Sequence, residues 1–175
     1  MISINQSFSH LASLEQTLRE TRGQWIVLGQ DHEAIRVCYS MASDCGEIDY
    51  GLGVATASVG IEPKAIFAPR CNRLFVGFDS FVAAVSQAHL GSAPVSRERR
   101  LDGAFLALTV LPNDDVCVVH ELGALVLSAD LEKKWAVATD VLAEWSIDVT
   151  SGELSITEAD TGYSLRVSLA DGRRF

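Results

Sequence analysis

Two stretches of this chain read as copies of one another, and that repetition narrows the fold more than any other feature. Ala65–Pro69, Leu74–Phe78 and Phe81–Ser86 are short apolar runs separated by tight polar breaks, and Phe105–Leu111, Val116–His120 and Ala124–Ser128 repeat the arrangement. Ala68-Pro69 falls on Leu111-Pro112, Leu74–Gly77 on Val116–Val119, and Val82–Ser86 on Ala124–Ser128. The offset is about forty residues, inside the period of ~20–50 residues that marks repeated structural units. Trp145–Val149, Leu154–Thr157 and Leu165–Leu169 supply a third triplet. Runs of this length, bounded by turn residues, predict strands.

The strands differ in how much cover they need. Val116–Val119 is apolar without interruption, which predicts packing on both faces. Leu165, Val167 and Leu169 alternate with Ser164, Arg166 and Ser168, and Trp145, Ile147 and Val149 alternate with Ser146, Asp148 and Thr150. Both patterns predict half-exposed strands, with Trp145 on the packed face. The turns Thr150-Ser151-Gly152-Glu153, Ala159-Asp160-Thr161-Gly162 and Ala170-Asp171-Gly172 place glycine where a hairpin needs positive φ.

The N-terminal third is less regular. Phe8, Leu11, Leu14 and Leu18 form one apolar stripe at helical spacing, predicting a helix from Phe8 to Arg22, capped by Ser7 and ended by Gly23. Trp25–Leu28 and Ala34–Tyr39 read as a hairpin around Gln30–Glu33. Met41–Gly60 holds four glycines and few charges. It reads as loop, with one strand near Val54–Val59.

A chain of 175 residues is enough for one domain with a real core. The expectation is a single domain over 1–175, mainly β with one N-terminal helix. Its antiparallel strands would form a partial propeller-like or strongly curved sheet, with a β-sandwich or barrel as the alternative. No apolar stretch approaches the ~20 residues of a membrane helix. Met1–His10 is polar, with no secretory-leader pattern. Cys38, Cys45, Cys71 and Cys117 include no CxxC pair, which favours free thiols in a reducing compartment. The reading is therefore cytoplasmic. A net charge of −9 disfavours binding to nucleic-acid backbone and suits either solubility or a basic partner.

Leu74–Asp79, His120–Leu127, Trp135 after the charged turn Leu131–Lys134, and the Asp160-Thr161-Gly162 turn before Leu165, Val167 and Leu169 carry a resemblance. Across residues 63–172 the chain resembles the blades of quinoprotein- and WD-type β-propellers, and more closely short bacterial proteins with isolated blade-like strands. The resemblance implies stacked strand units. A closed propeller needs at least ~4 blades, and three triplets are too few. No position matches a quinone-binding residue, so no cofactor is implied.

Few residues suggest chemistry. Cys117 and His120 are an odd step apart, which on a strand puts them on opposite faces. His120-Glu121 is not followed by the HExxH pattern, and His10, His32 and His89 are scattered, so no metal site is expected. Gly51-Leu52-Gly53 lacks the third glycine of a dinucleotide loop, with Thr56 in its place. Asp79 reads as a turn residue. Arg97, Arg99 and Arg100 form a basic patch in a loop from Pro94 to Arg100, and Asp114-Asp115 a hairpin tip. These five charged residues are the candidate partner contacts. Trp25, Trp135 and Trp145 read as packing residues.

No catalytic, cofactor or metal residue is nominated. The expected role is non-enzymatic protein–protein interaction, in its most concrete form an immunity-like or accessory protein that masks a partner. One rival is a small-molecule binding module. Another is an enzyme built on His32, Asp44, His89 or Glu121. Uncovered strand edges also make a homodimer reasonable.

Overall fold

The computed structural model describes residues 2–8, 10–20, 24–29, 36–42, 48–56, 61–86 and 95–175, with backbone alone at 2–8, 24, 36–42, 48–50 and 95. These residues form one helix, α1 (Leu11–Glu20), and four sheets. The first sheet holds β1 (Ile2–Phe8), β2 (Gln24–Leu28), β3 (Arg36–Ala42) and β4 (Ile48–Ala55), in the order β1-β3-β4-β2. The second is a meander of β5 (Lys64–Ala68), β6 (Arg73–Phe78), β7 (Phe81–Ser86) and β8 (Val95–Arg100). The third repeats it with β9 (Phe105–Val110), β10 (Val116–His120), β11 (Gly123–Leu127) and β12 (Lys133–Ala138). The fourth has β13 (Leu142–Asp148), β14 (Glu153–Glu158) and β15 (Ser164–Ser168). Pairing is antiparallel except between β2 and β4, and none of the described sheets closes into a barrel.

Alternation along the strands stacks these sheets in chain order. Leu74, Val76 and Phe78 pack with Leu28, Leu52 and Val54 of the first sheet. Phe75, Val82 and Ala84 face the other way, onto Phe105, Leu108, Val116 and Val118. Cys117, Val119, Ala124 and Val126 then meet Leu154, Ile156, Leu165 and Val167 of the fourth sheet. Two glycines set the spacing of this stack. A Cβ on Gly77 would lie 2.0 Å from Phe105 Cε2, so the bare backbone of β6 admits that ring. A Cβ on Gly53 would lie 2.8 Å from Leu14 Cδ2, so β4 lets α1 come close.

The triplets from residue 64 onward are all strands, and Gly152, Gly162 and Gly172 take φ of 73°, 65° and 71° in the expected turns. Asp79 is a turn residue with φ of 45°.

The N-terminal third departs from the reading. Phe8 and Ser7 belong to β1. The helix starts at Leu11, with the His10 carbonyl accepting from Ser13 and Leu14 N–H at 3.1 and 3.3 Å. Arg22 and Gly23 lie outside the described residues. The β2–β3 hairpin does not form: β2 pairs with β4 in parallel, and β3 lies between β1 and β4. The physical reason is that β2 is apolar on both faces. Beside β4, Trp25 and Val27 pack with Leu14 and Leu18, while Ile26 and Leu28 face the second sheet. The expected loop from Met41 holds β4, eight residues long, which overlaps the strand expected at Val54–Val59 only at Val54 and Ala55. Residues 57–60 lie outside the described residues. Gly51-Leu52-Gly53 lies on β4, with Gly53 against α1, rather than opening a phosphate loop.

Two expected loops are also strands. Val95–Arg100 is β8, and Lys133 and Lys134, expected in a turn, begin β12. Both are fourth strands at sheet edges; charge replaces the apolar period throughout β8 and at the start of β12.

Candidate interaction surface

The basic patch is largely occupied by the protein itself. On β8, Arg97 and Arg99 share the face turned toward the third sheet. Arg99 donates to the Leu131 carbonyl at 3.1 Å. Arg97 reaches the Asp130 carboxylate at 3.3 Å, and Arg73 reaches it at 2.8 Å while donating to the Ala129 carbonyl. Arg70 donates to the Pro112 carbonyl. Arginines of the second sheet thus grip the β9–β10 and β11–β12 turns of the third. Arg100 is exposed and projects from the opposite face of β8.

The two aspartates differ from each other. Asp114 takes φ of 63° in the hairpin turn and is half-buried. Asp115 is only 6% exposed. Its carboxylate accepts from Lys134 Nζ and Asn113 Nδ2, both at 2.6 Å. The five charged candidates therefore do not meet at one place. Arg97 and Arg99 tie sheets together, and Asp115 anchors β12.

Other reactive groups also lie apart. Cys117 is buried between the third and fourth sheets, and burial pushes its thiol up to about 12. Burial, reinforced by Asp114, also raises Cys71, whose Sγ lies 3.7 Å from the Ala68 carbonyl. Both thiols are free. His120 is buried, and burial lowers its pKa against the opposing influence of Asp102. Its Nδ1 accepts from Leu122 N–H at 3.4 Å. The Cys117 side chain lies in the cluster shared with the fourth sheet. Among the described residues, no three His, Cys, Asp or Glu side chains gather to hold a metal. His32, Asp44 and His89 lie outside the described residues.

The fourth sheet presents a different surface, apart from the five nominated charges. Its packed face carries Leu154, Ile156, Leu165 and Val167, while Ser146, Ser155, Thr157, Ser164 and Arg166 line the other. Trp145 pairs with Ile156, yet it is 38% exposed, because β13 is an edge and the ring overhangs the covered region. Trp135 is covered by comparison, donating from Nε1 to the Leu169 carbonyl at 3.1 Å. Trp25 is half-buried against α1.

Hydrogen bonding alternates along antiparallel strands. Glu158 N–H donates to the Tyr163 carbonyl, and Leu169 N–H to the Gly152 carbonyl. Carried across the register of β14 and β13, that alternation turns the backbone groups of Glu144, Ser146 and Asp148 toward β14. The N–H and C=O groups of Trp145 and Ile147 then face the open edge.

β13 itself carries Glu144 and Asp148 and no base, while Arg166, two strands away on the polar face, reaches Glu153 at 3.7 Å. From Trp135 through Leu165 the sequence has six acidic residues (Asp140, Glu144, Asp148, Glu153, Glu158 and Asp160) and no Lys or Arg. The Asp148 carboxyl is held below its usual range by the Ser151 hydroxyl, then by Ser151 and Thr150 backbone N–H groups. Three other edge strands carry basic residues: β5 has Lys64, β8 three arginines, and β12 two lysines. Lys64 Nζ also sits 3.5 Å from the Leu106 carbonyl on edge strand β9. The base-free stretch was the sequence signal for this surface.

Among the described residues, no helix is long and apolar enough to cross a membrane. No known protein-family profile and no curated protein matches the chain.

Proposed function

We propose that this protein is a non-catalytic, cytoplasmic protein-binding module whose blade-like sheets hold a recognition edge in place. The observation that carries this reading is β13, an acidic edge strand with an exposed tryptophan at its centre. Large aromatic residues anchor protein interfaces, because they bury much area at little entropic cost. The immunity-like form of the role, in which the module masks one partner, is the most specific version.

The experiment compares proteins that co-purify with tagged wild type and with Trp145→Ala, quantified by mass spectrometry. The expected outcome is a specific protein held by wild type and lost with the variant. Recovery by wild type of nothing beyond the tag alone overturns the reading.

A further inference from the structure

We infer that the β13 edge binds an extended segment that alternates basic and apolar residues, adding it to the fourth sheet as a strand. The inference rests on the binding role proposed above and specifies the chemistry of the partner. Three observations converge on it. The backbone groups of Trp145 and Ile147 face outward from an edge that no described strand covers. That edge is a template for strand addition, in which main-chain hydrogen bonds give affinity and alternate side chains give specificity.

The two sides of the added strand would meet different surfaces. On the side of Trp145 and Ile147 it finds a half-covered apolar shoulder. On the other it runs beside Glu144, Ser146 and Asp148. Alternation is therefore required of the partner, because successive residues of a strand point to opposite faces.

Charge selects the basic partner over a second copy of this chain. Antiparallel self-pairing of β13 would bring two acidic stretches together, each with six acidic residues and no base between Trp135 and Leu165. A Lys- or Arg-bearing strand is attracted by the same field, and like charges directly opposite in a sheet are unfavourable.

The test uses the full chain and an alternating Lys-Val peptide of about eight residues, near the length of an ordinary strand. Binding is followed by tryptophan emission and by calorimetry. The peptide should bind, and roughly tenfold or greater weakening should follow Trp145→Ala or Glu144→Lys, since an interface anchor or a facing charge has been lost. N-methylating the peptide along one edge should weaken it similarly by removing main-chain donors. An alternating Glu-Val peptide should not bind.

Equal binding of the N-methylated or Glu-Val peptide, or unchanged binding to both variants, overturns the inference. So does a dimer in analytical ultracentrifugation that Trp145→Ala dissolves and the peptide cannot compete away. If the peptide fails while cellular capture remains dependent on Trp145, the strand chemistry is wrong and the binding role stands. If capture fails while the peptide binds as described, the reverse holds.

Discussion

The third and fourth sheets are built from similar meanders but occupy different places in the stack. Every residue of β10 and β11 is buried, because the third sheet has the second on one face and the fourth on the other. In β14 and β15 burial alternates, and the outward side chains are serine, threonine, glutamate and arginine. A stack of sheets, like other repeat arrays, needs a terminal unit with a polar outer face. The fourth sheet supplies it at one end, and α1 covers the first sheet at the other. The same strand pattern therefore serves as core when sandwiched and as cap when terminal. This arrangement leaves the rim of the cap, rather than its polar outer face, as the proposed binding surface.

The comparison breaks most visibly at the seam between the second and third sheets. Phe105→Ala removes the ring that fills the gap over Gly77, and should cost about 3–5 kcal/mol of unfolding free energy. Arg166→Ala, on the polar face of the fourth sheet, should stay within about 0.5 kcal/mol. Urea denaturation of both variants checks the contrast. Equal losses would mean that the fourth sheet is as tightly constrained as the third.

A second contrast concerns charge. Lys134→Met leaves the buried Asp115 carboxylate with Asn113 but without its ammonium partner. The expected cost is about 1–3 kcal/mol, the penalty for an under-satisfied buried group, moderated by the half-exposed lysine. Asp130→Ala, which removes the carboxylate shared by Arg73 and Arg97 at a largely exposed junction, should cost at most about 1 kcal/mol. That smaller loss should shrink further as salt is added, which a urea series at two ionic strengths would show.

These contrasts also explain what could be read in advance. Val116–Val119 announced a doubly covered strand, and Leu165, Val167 and Leu169 announced a strand covered on one side, because burial is written into their periodicity. β8 was not legible: Ser96–Arg100 has no apolar period, since an edge strand keeps its charges for turns of the neighbouring sheet. The helix start misled because Phe8 happens to extend the stripe of Leu11, Leu14 and Leu18 while belonging to β1. Trp145 was legible as to face but not exposure. Alternation assigns a side of the sheet, and only the stack shows how far the neighbouring sheet extends over it. The nominated arginines and aspartates were real charge features, but sequence alone could not show that Arg97, Arg99 and Asp115 have partners within the fold.

The smallest expected effect tests the junction that orients the cap. Around His120, Glu121 N–H donates to the Ala104 carbonyl, and the Glu121 carbonyl accepts from Leu142 N–H at the start of β13. Burial lowers the imidazole pKa from its ordinary 6.5, with Asp102 opposing. The unfolded chain therefore takes up this proton first as pH falls. The stability due to neutral His120 is fully present above about pH 6.5 and is lost as pH falls through the lower folded value. Glu98, raised by burial from 4.5, acts with the opposite sign, since its protonated form is favoured in the fold. A urea midpoint that declines modestly from pH 7.5 toward 5.5, with less decline in His120→Gln, is expected. A flat profile in wild type, or an equal slope in the variant, would remove His120 as the pH-sensitive element of this junction.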